Sequence, residues 1–555
     1  MRMHTLFAGV ALSLLGFVAS LQAPDQPPVI TLPYGRWKSV YDNTTDVYTF
    51  RNIRFAAPPV GNLRFAKPSP PRVVRGLQDG SYGPQCFQGR PLPGLQGSSD
   101  QVVPNADSSN LTLETTQAED CLFLDLYVPG KVIRKETTRK LPVVVWIYGG
   151  AYVLGSKDQA ISFGLYDGKA IVREAQHEAI VVIPNYRLGV FGFLAGTTVE
   201  KQGTPNIGLY DQRAAFQWVQ DYIYLVDGDK DNVSAWGESA GAGSILHHLI
   251  LEGGNLDPLF HRAISLSPGF EPRSDGSGTA EDEYQEFTSA VGCKDKGLAC
   301  LRSLNATYLA KVNNNLNDII WAPVPDGRLI RGPPALQFSS GNYWKALKSI
   351  VVTHTANEGA IFVPNPLPDD FLNMVVSAVF PPNSSDIVSQ IINAYHPAPP
   401  QITKEQFTST VVADLLIKCN ARYMVEAYAG KAYLGQYSVG NATHGSDLAA
   451  VFYEPQIYPS PVPLYSAYNS YLASHAITGD PNTLRNKTST IEWPLVSSPN
   501  SEKPGNALNV TDNGFTLIND MEISKQLCDV WQNAFATVQA RKAASCTVKK
   551  SRRMR

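Results

Sequence analysis

Two kinds of run alternate along the chain. Short, nearly continuous apolar runs rich in β-branched residues occur at 143–147, 179–183, 233–236, 263–266, 350–353 and 433–439. Runs of that length without a polar break suit strands buried on both faces, as in a parallel sheet covered by helices. Between them lie stretches with helical spacing. Over 211–222, Ala214, Ala215, Trp218, Val219 and Tyr222 share one face, and 240–251 also reads as a helix. Strand and helix in alternation predict an α/β architecture, with a central, mostly parallel sheet flanked by helices. Pro-rich stretches at Pro58-Pro59, 68–71 and 397–400 mark turns and loops, and no internal repeat interrupts the pattern.

The apolar run 233–236 leads into Gly237-Glu238-Ser239-Ala240-Gly241, and a helical stretch follows. Strand, Gly-x-Ser-x-Gly, helix is the layout of a nucleophile elbow. The turn is tight enough that side chains two positions before and after the serine would clash. It pushes the hydroxyl out at the C-terminal end of the strand and aims the Ala240 N–H at a nascent oxyanion. Alone the pentapeptide is weak, since a chain of this length gives roughly 0.2 chance matches at ordinary Gly and Ser frequencies. The rest of the chain has to supply the partners.

A serine hydroxyl is a poor nucleophile at neutral pH and needs a base, most often histidine held in one tautomer by a carboxylate. In α/β-hydrolases the chain order is Ser, acid, His. Of the histidines that follow Ser239, His354, His396, His444 and His475 are the candidates. His444 comes one short loop after the run 433–439, whereas His354 lies inside an apolar strand and reads as a packed residue. His396 and His475 lack a preceding buried strand. For the acid, Glu358 comes just after the run 350–353. Asp326 sits in the turn sequence Pro325-Asp326-Gly327, and Asp447 follows His444 and breaks the chain order. The oxyanion hole needs backbone N–H donors at another strand end. Tyr148-Gly149-Gly150-Ala151-Tyr152 directly follows 143–147, which makes Gly150 and Ala151, with Ala240, the expected donors.

The 555 residues are 43% hydrophobic, enough apolar surface for a large core. Length alone suggests about three or four domains, but the motifs spread from Phe50 to Trp531. That spread argues for one catalytic domain with long insertions over 21–545. A basic tail, 546–555, is expected to fray. The net charge of −2 gives no argument for a nucleic-acid partner. At the N-terminus a basic start, an apolar run over 6–18 and small residues at its exit read as a secretory signal peptide over 1–20. That run is short of the roughly 20 apolar residues a spanning helix needs. Asn-x-Ser/Thr sequons at Asn43, Asn110, Asn232, Asn305, Asn383, Asn441, Asn486 and Asn509 fit an exported glycoprotein. Asn232 and Asn441 are expected near the site and are the weakest acceptors. Seven cysteines in an exported chain point to disulfides rather than metal ligands. Cys293 and Cys300 are close in sequence, Cys86 and Cys121 flank a longer segment, and Cys419 and Cys528 lie in amphipathic stretches. Cys546 is left over, and the residues alone leave the pairing open.

Further motifs bring a family into view: Ala57-Pro58-Pro59-Val60-Gly61-Asn62-Leu63-Arg64-Phe65, Glu119-Asp120-Cys121-Leu122-Phe123-Leu124, Asn185-Tyr186-Arg187-Leu188-Gly189 and Asn206-Ile207-Gly208-Leu209-Tyr210-Asp211-Gln212. With the elbow, these resemble the type-B carboxylesterase/lipase family, which includes cholinesterases and fungal lipases, over nearly the whole mature chain. The resemblance implies an α/β-hydrolase fold and a Ser239, Glu358, His444 triad. It also implies the disulfides Cys86–Cys121, Cys293–Cys300 and Cys419–Cys528. The chain departs from the family in three places. Ala151 stands where the hole is usually a third Gly, Phe123 replaces a usual Tyr or Thr, and Val226-Asp227-Gly228 replaces a common Phe-Gly-Gly. The segment between Cys86 and Cys121 holds no tryptophan, which argues against choline esters as substrates. Within that segment, 87–120 has scattered apolar residues but no amphipathic stripe for a lipase lid. The expected activity is therefore a secreted serine carboxylesterase, extending to lipase activity, on small-molecule or lipid esters. No metal or organic cofactor and no integral membrane segment is implied. The alternative is a non-catalytic, cholinesterase-like adhesion module.

Overall fold

The computed structural model describes residues 26–89, 116–158, 166–269, 272–273, 278–316, 319, 321–396, 402–453 and 462–553, with side chains left aside at 462 and beyond 544. The expected signal peptide, Asn110 and the Cys546 side chain lie outside the described residues.

Eleven strands form the main sheet, numbered here in chain order. They are β1 (Val40–Asp42), β2 (Val47–Arg54), β3 (Phe123–Pro129), β4 (Leu141–Ile147), β5 (Ile180–Pro184) and β6 (Gly228–Glu238). The rest are β7 (Arg262–Leu266), β8 (Ser349–Thr355), β9 (Ala432–Ser438), β10 (Ala507–Thr511) and β11 (Gly514–Ile518). Their spatial order is β11-β10-β9-β8-β7-β6-β4-β5-β3-β2-β1. The seven central strands from β10 to β5 pair in parallel, and the flanking ones add antiparallel edges. Every residue of β4, β5, β7 and β8 is buried. Both faces are therefore covered, which is why these strands read as unbroken apolar runs. All six runs expected as strands lie within or beside β4 to β9.

The helices that matter for the site are α1 (Ile207–Tyr222), α2 (Ala240–Ile250), α3 (Cys419–Ala427), α4 (Val462–Thr478) and α5 (Lys525–Arg553). A single π-type turn, Asp414–Lys418, leads into α3. The last helix carries the chain past Ala544 into its basic end. Cys86–Cys121, Cys293–Cys300 and Cys419–Cys528 are joined, with Cα–Cα distances of 4.9, 5.7 and 5.2 Å.

Register positions the chemistry. Glu238 pairs with Leu266, Leu266 with Thr353, and Thr355 with Tyr437. The C-terminal ends of β6, β7, β8 and β9 thus finish along one rim, and the loops that leave them meet there. Asn232, in the N-terminal half of β6, is far from that rim, contrary to expectation; its side chain is occupied by Arg262. Asn441 is exposed.

Candidate active site

Ser239 occupies the turn between β6 and α2 at φ 56°, ψ −127°, a backbone region that costs a non-glycine residue about 1–3 kcal/mol. The surroundings hold it there. Its N–H donates to the Leu266 carbonyl at 3.0 Å, and its own carbonyl accepts from Gly243 at 2.8 Å and Gly269 at 3.0 Å. The flanking glycines are sterically required. A Cβ on Gly237 would come within 2.5 Å of the Gly241 backbone, and one on Gly241 within 2.0 Å of the Ile147 carbonyl oxygen.

The partners arrive from the neighbouring strand ends. Glu358 opens a short 3-10 turn after β8, and His444 lies on the loop after β9. The two loops are tied by the Asn357 N–H, which donates to the Ala442 carbonyl at 2.9 Å. His444 Nε2 is 2.8 Å from Ser239 Oγ, and its Nδ1 is 2.6 Å from Glu358 Oε2. An ionised Glu358 can only accept, so Nδ1 carries the proton and Nε2 is left to receive one from Ser239. Glu358 is completely buried. Burial pushes its pKa up, but the charge and hydrogen bond of His444, with donors from Ser267 Oγ and the Thr355 N–H at 2.6 Å each, hold it below the ordinary range. The Phe362 ring packs 5.1 Å from the imidazole.

Three participants escaped the sequence reading. Ser267, at φ 50° just past β7, anchors the second oxygen's environment of Glu358. Glu238, the variable residue before Ser239, places Oε1 3.4 Å from His444 Nε2. Asp447, considered only as a rival acid, is fully buried, and no side chain hydrogen-bonds its carboxylate. Burial, then His444 opposing it and the other carboxylates reinforcing it, leaves Glu238 raised to about 8. Burial and Glu358 likewise bring Asp447 to about 7. Burial would lower His444, but Glu238, Glu358 and Asp447 raise it to about 9. Position inside the pentapeptide was a usable signal for Glu238; Ser267 offered none.

Opposite the serine, the loop after β4 turns through left-handed backbone at Gly150 (φ 105°), Ala151 (φ 52°) and Tyr152 (φ 60°). It passes so close to the elbow that a Cβ on Gly149 would lie 2.9 Å from Ser239 Cβ. The Gly149 backbone is already engaged with Tyr166. Ala240 is the first residue of α2, where the N–H has no partner within the helix. Gly150 and Ala151 on this loop and Ala240 at the start of α2, the residues expected to supply the oxyanion hole, thus lie on the two turns that approach each other here.

The rejected candidates fall elsewhere. His354 is buried in β8 against Asp520, His475 is buried in α4 with its Nε2 2.9 Å from Ser349 Oγ, and His396 stacks on Phe407. Asp326 accepts the N–H groups of Arg328 and Ile330 and closes its turn. Among the described residues, no group of His, Cys, Asp and Glu is arranged to hold a metal ion, and no helix is long and apolar enough to cross a membrane.

Comparison with known proteins settles the lineage. A model of the carboxylesterase family matches residues 26–531. The chain belongs to the carboxylesterase family. Within that family it is 42% identical to "Secreted lipase" of Arthroderma benhamiae over 517 residues, covering 92% of this chain and 93% of the relative. It is 30% identical to "Lipase 1" of Geotrichum candidum, covering 90% and 94%. Among solved structures, Aspergillus niger EstA superposes with a TM-score of 0.76 at 26% identity, covering 92% of this chain and 99% of that one. This carboxylesterase therefore has the α/β-hydrolase fold and is a carboxylic ester hydrolase, in place of the adhesion alternative. The motifs that carried the family resemblance find structural work in it. Arg187 is clamped by Asp211 at 2.7 Å, and Arg64 pairs with Glu119 beside the first disulfide.

Proposed function

We propose that this carboxylesterase cleaves esters through an acyl-serine on Ser239, with His444 as base and then acid, and Glu358 as the carboxylate that orients it. The observation that carries this reading is the continuous relay from hydroxyl through imidazole to carboxylate, at 2.8 and 2.6 Å. Ser239 Oγ attacks the ester carbonyl while Nε2 takes its proton. Glu358 stabilises the imidazolium that results. The N–H groups of Gly150, Ala151 and Ala240 donate to the tetrahedral oxyanion, each contributing about 2.7–4 kcal/mol in the transition state. Nε2 returns the proton to the leaving alcohol. Water, deprotonated by the same nitrogen, then releases the acid and restores the serine.

One catalytic domain over 21–545 performs this chemistry; a hydrophobic core whose buried residues run from Ile30 to Val538 supports that unit. The enzyme is exported after removal of 1–20, a reading supported by the charge and apolar pattern of the leader and by the secreted relative. Its substrates are carboxylic esters extending to lipid esters. The 42% identity to a protein named a secreted lipase supports that extension. Kinetics with esters of increasing acyl length, on either side of the solubility limit, should show turnover persisting on the insoluble members; loss of all turnover there would confine the enzyme to soluble esters.

The triad is tested by organophosphate labelling with mass spectrometry. One adduct is expected, on Ser239. Ser239→Ala should take no label and lose turnover by on the order of 10⁶. A folded protein that stays unlabelled, or labels elsewhere, would overturn the assignment.

A further inference from the structure

Behind the acid lies a second imidazole–carboxylate pair to which the reaction scheme gives no task. His354, on β8 four residues before Glu358, is fully buried, as is Asp520. His354 Nε2 is 2.7 Å from Asp520 Oδ2, and its Nδ1 is 3.0 Å from the Thr355 carbonyl oxygen. A carbonyl only accepts, so Nδ1 carries a proton. Nε2 faces a carboxylate, so a second proton lies between the two, and the pair is an imidazolium and a carboxylate removed from water. The other Asp520 oxygen accepts the Glu522 N–H at 2.8 Å. Two further charged groups face the pair from the π-type turn: Lys418, itself 2.6 Å from Glu522, and Asp414. Burial and Lys418 oppose a charge on His354, and Asp520 outweighs them. An apolar pair of similar shape would often be as stable as such a buried ion pair, so fold stability alone does not account for it.

The connection to the reaction runs through one residue. The carbonyl of Thr355 is held by His354, and the N–H of Thr355 donates to Glu358 Oε1 at 2.6 Å. Asp520 comes from the segment between β11 and α5, so it pins the end of β8 from outside the strand's own neighbours. We propose that His354 and Asp520 are positioning residues for the acid: the imidazolium, gripped by Asp520, fixes the Thr355 backbone and through it the carboxylate of Glu358 against His444. This rests on the reading of Glu358 as the acid.

The test uses the full-length enzyme and a soluble chromogenic ester, with kcat, KM and Tm measured for His354→Gln, Asp520→Asn, Glu358→Gln and the two double variants with Glu358→Gln. Each positioning variant is expected to lower kcat by about tenfold to a hundredfold through misplacement of the acid. KM should move by less than about twofold, because only transition-state stabilisation is touched. In the Glu358→Gln background neither change should cost anything further, since no carboxylate remains to be aimed. A pair that merely supports the fold would lower Tm and cost the same factor in both backgrounds, and that result overturns the proposal. So does a kcat within about twofold of wild type in both single variants. Should His354→Gln fail to fold, Asp520→Asn, which keeps the side chain's size and an acceptor for Glu522, decides alone. Full kcat in Glu358→Gln itself is a separate result, which would remove the acid assignment and the proposal with it.

Discussion

Three buried carboxyl groups act on one imidazole at the rim, and they cannot all be charged so near one another. Glu358 has hydrogen bonds from Ser267 and Thr355 that favour its ionised form, whereas no side chain hydrogen-bonds Glu238 Oε1 or the Asp447 carboxylate. Charge therefore settles on Glu358, and the other two are pushed up, to about 8 and about 7. As pH rises, each carboxylate that forms strengthens the hold of His444 on its proton, and His444 reaches about 9. A base works only when neutral, so kcat/KM should keep rising into the alkaline range. Glu238→Gln keeps the shape but removes the charge that, after burial, bears most on His444. With less negative charge nearby the imidazolium is less stable and loses its proton sooner. The acid limb of the kcat/KM profile should therefore move to lower pH in the variant. A limb that stays in place would mean that Glu238 is neutral throughout the working range.

At the scale of elements, the elbow shows why so much of the site was legible. Its glycines answer to backbone, not to substrate: a Cβ on Gly241 would press on Ile147 at the end of β4, the strand that feeds the hole loop. Gly241→Ala should force α2 and β4 apart, costing about 1–3 kcal/mol by overpacking and displacing the Ser239 loop from the hole loop. The denaturation midpoint and the turnover of the folded fraction should both fall; wild-type values for both would mean the turn is not sterically locked. The same physics made the central strands readable, because burial on both faces leaves an unbroken apolar run. It failed where polar residues break the run. β6 extends back to Gly228 through half-buried Asp229 and exposed Lys230 and Asp231, which no apolar pattern announces. β1, β2 and β3 on one side of the sheet and β10 and β11 on the other were likewise missed. Ser239, Glu358 and His444 follow the strand ends in a fixed chain order, so they could be read. Ser267 and Asp520 act across 91 and 166 residues of sequence on Glu358 and His354, and only the folded sheet brings them there.

At the scale of the whole molecule, the C-terminal segment closes the back of the sheet and supplies Asp520. It is fastened to α3 and the π-type turn before it by several ties. Arg422, buried, donates to the Ile523 carbonyl at 2.9 Å; Lys418 pairs with Glu522; Tyr423 donates to the Cys528 carbonyl at 2.8 Å; and Cys419–Cys528 links the two covalently. These ties differ in the state they act on. The polar contacts exist only in the folded enzyme, whereas the disulfide also restricts the unfolded chain, across a sequence separation of 109 residues. Closing a loop of that size removes unfolded-state entropy equivalent to about 4.7 kcal/mol. Cys419→Ala with Cys528→Ala, which leaves no new polar group in this buried place, should therefore lower unfolding free energy by up to that amount. At 25 °C kcat should remain close to wild type, because the remaining contacts still hold Asp520 against His354. Denaturant unfolding with kinetics on the same preparations checks both halves. A large fall in kcat with unchanged stability would mean that the disulfide acts on the native geometry of the segment rather than on the unfolded chain.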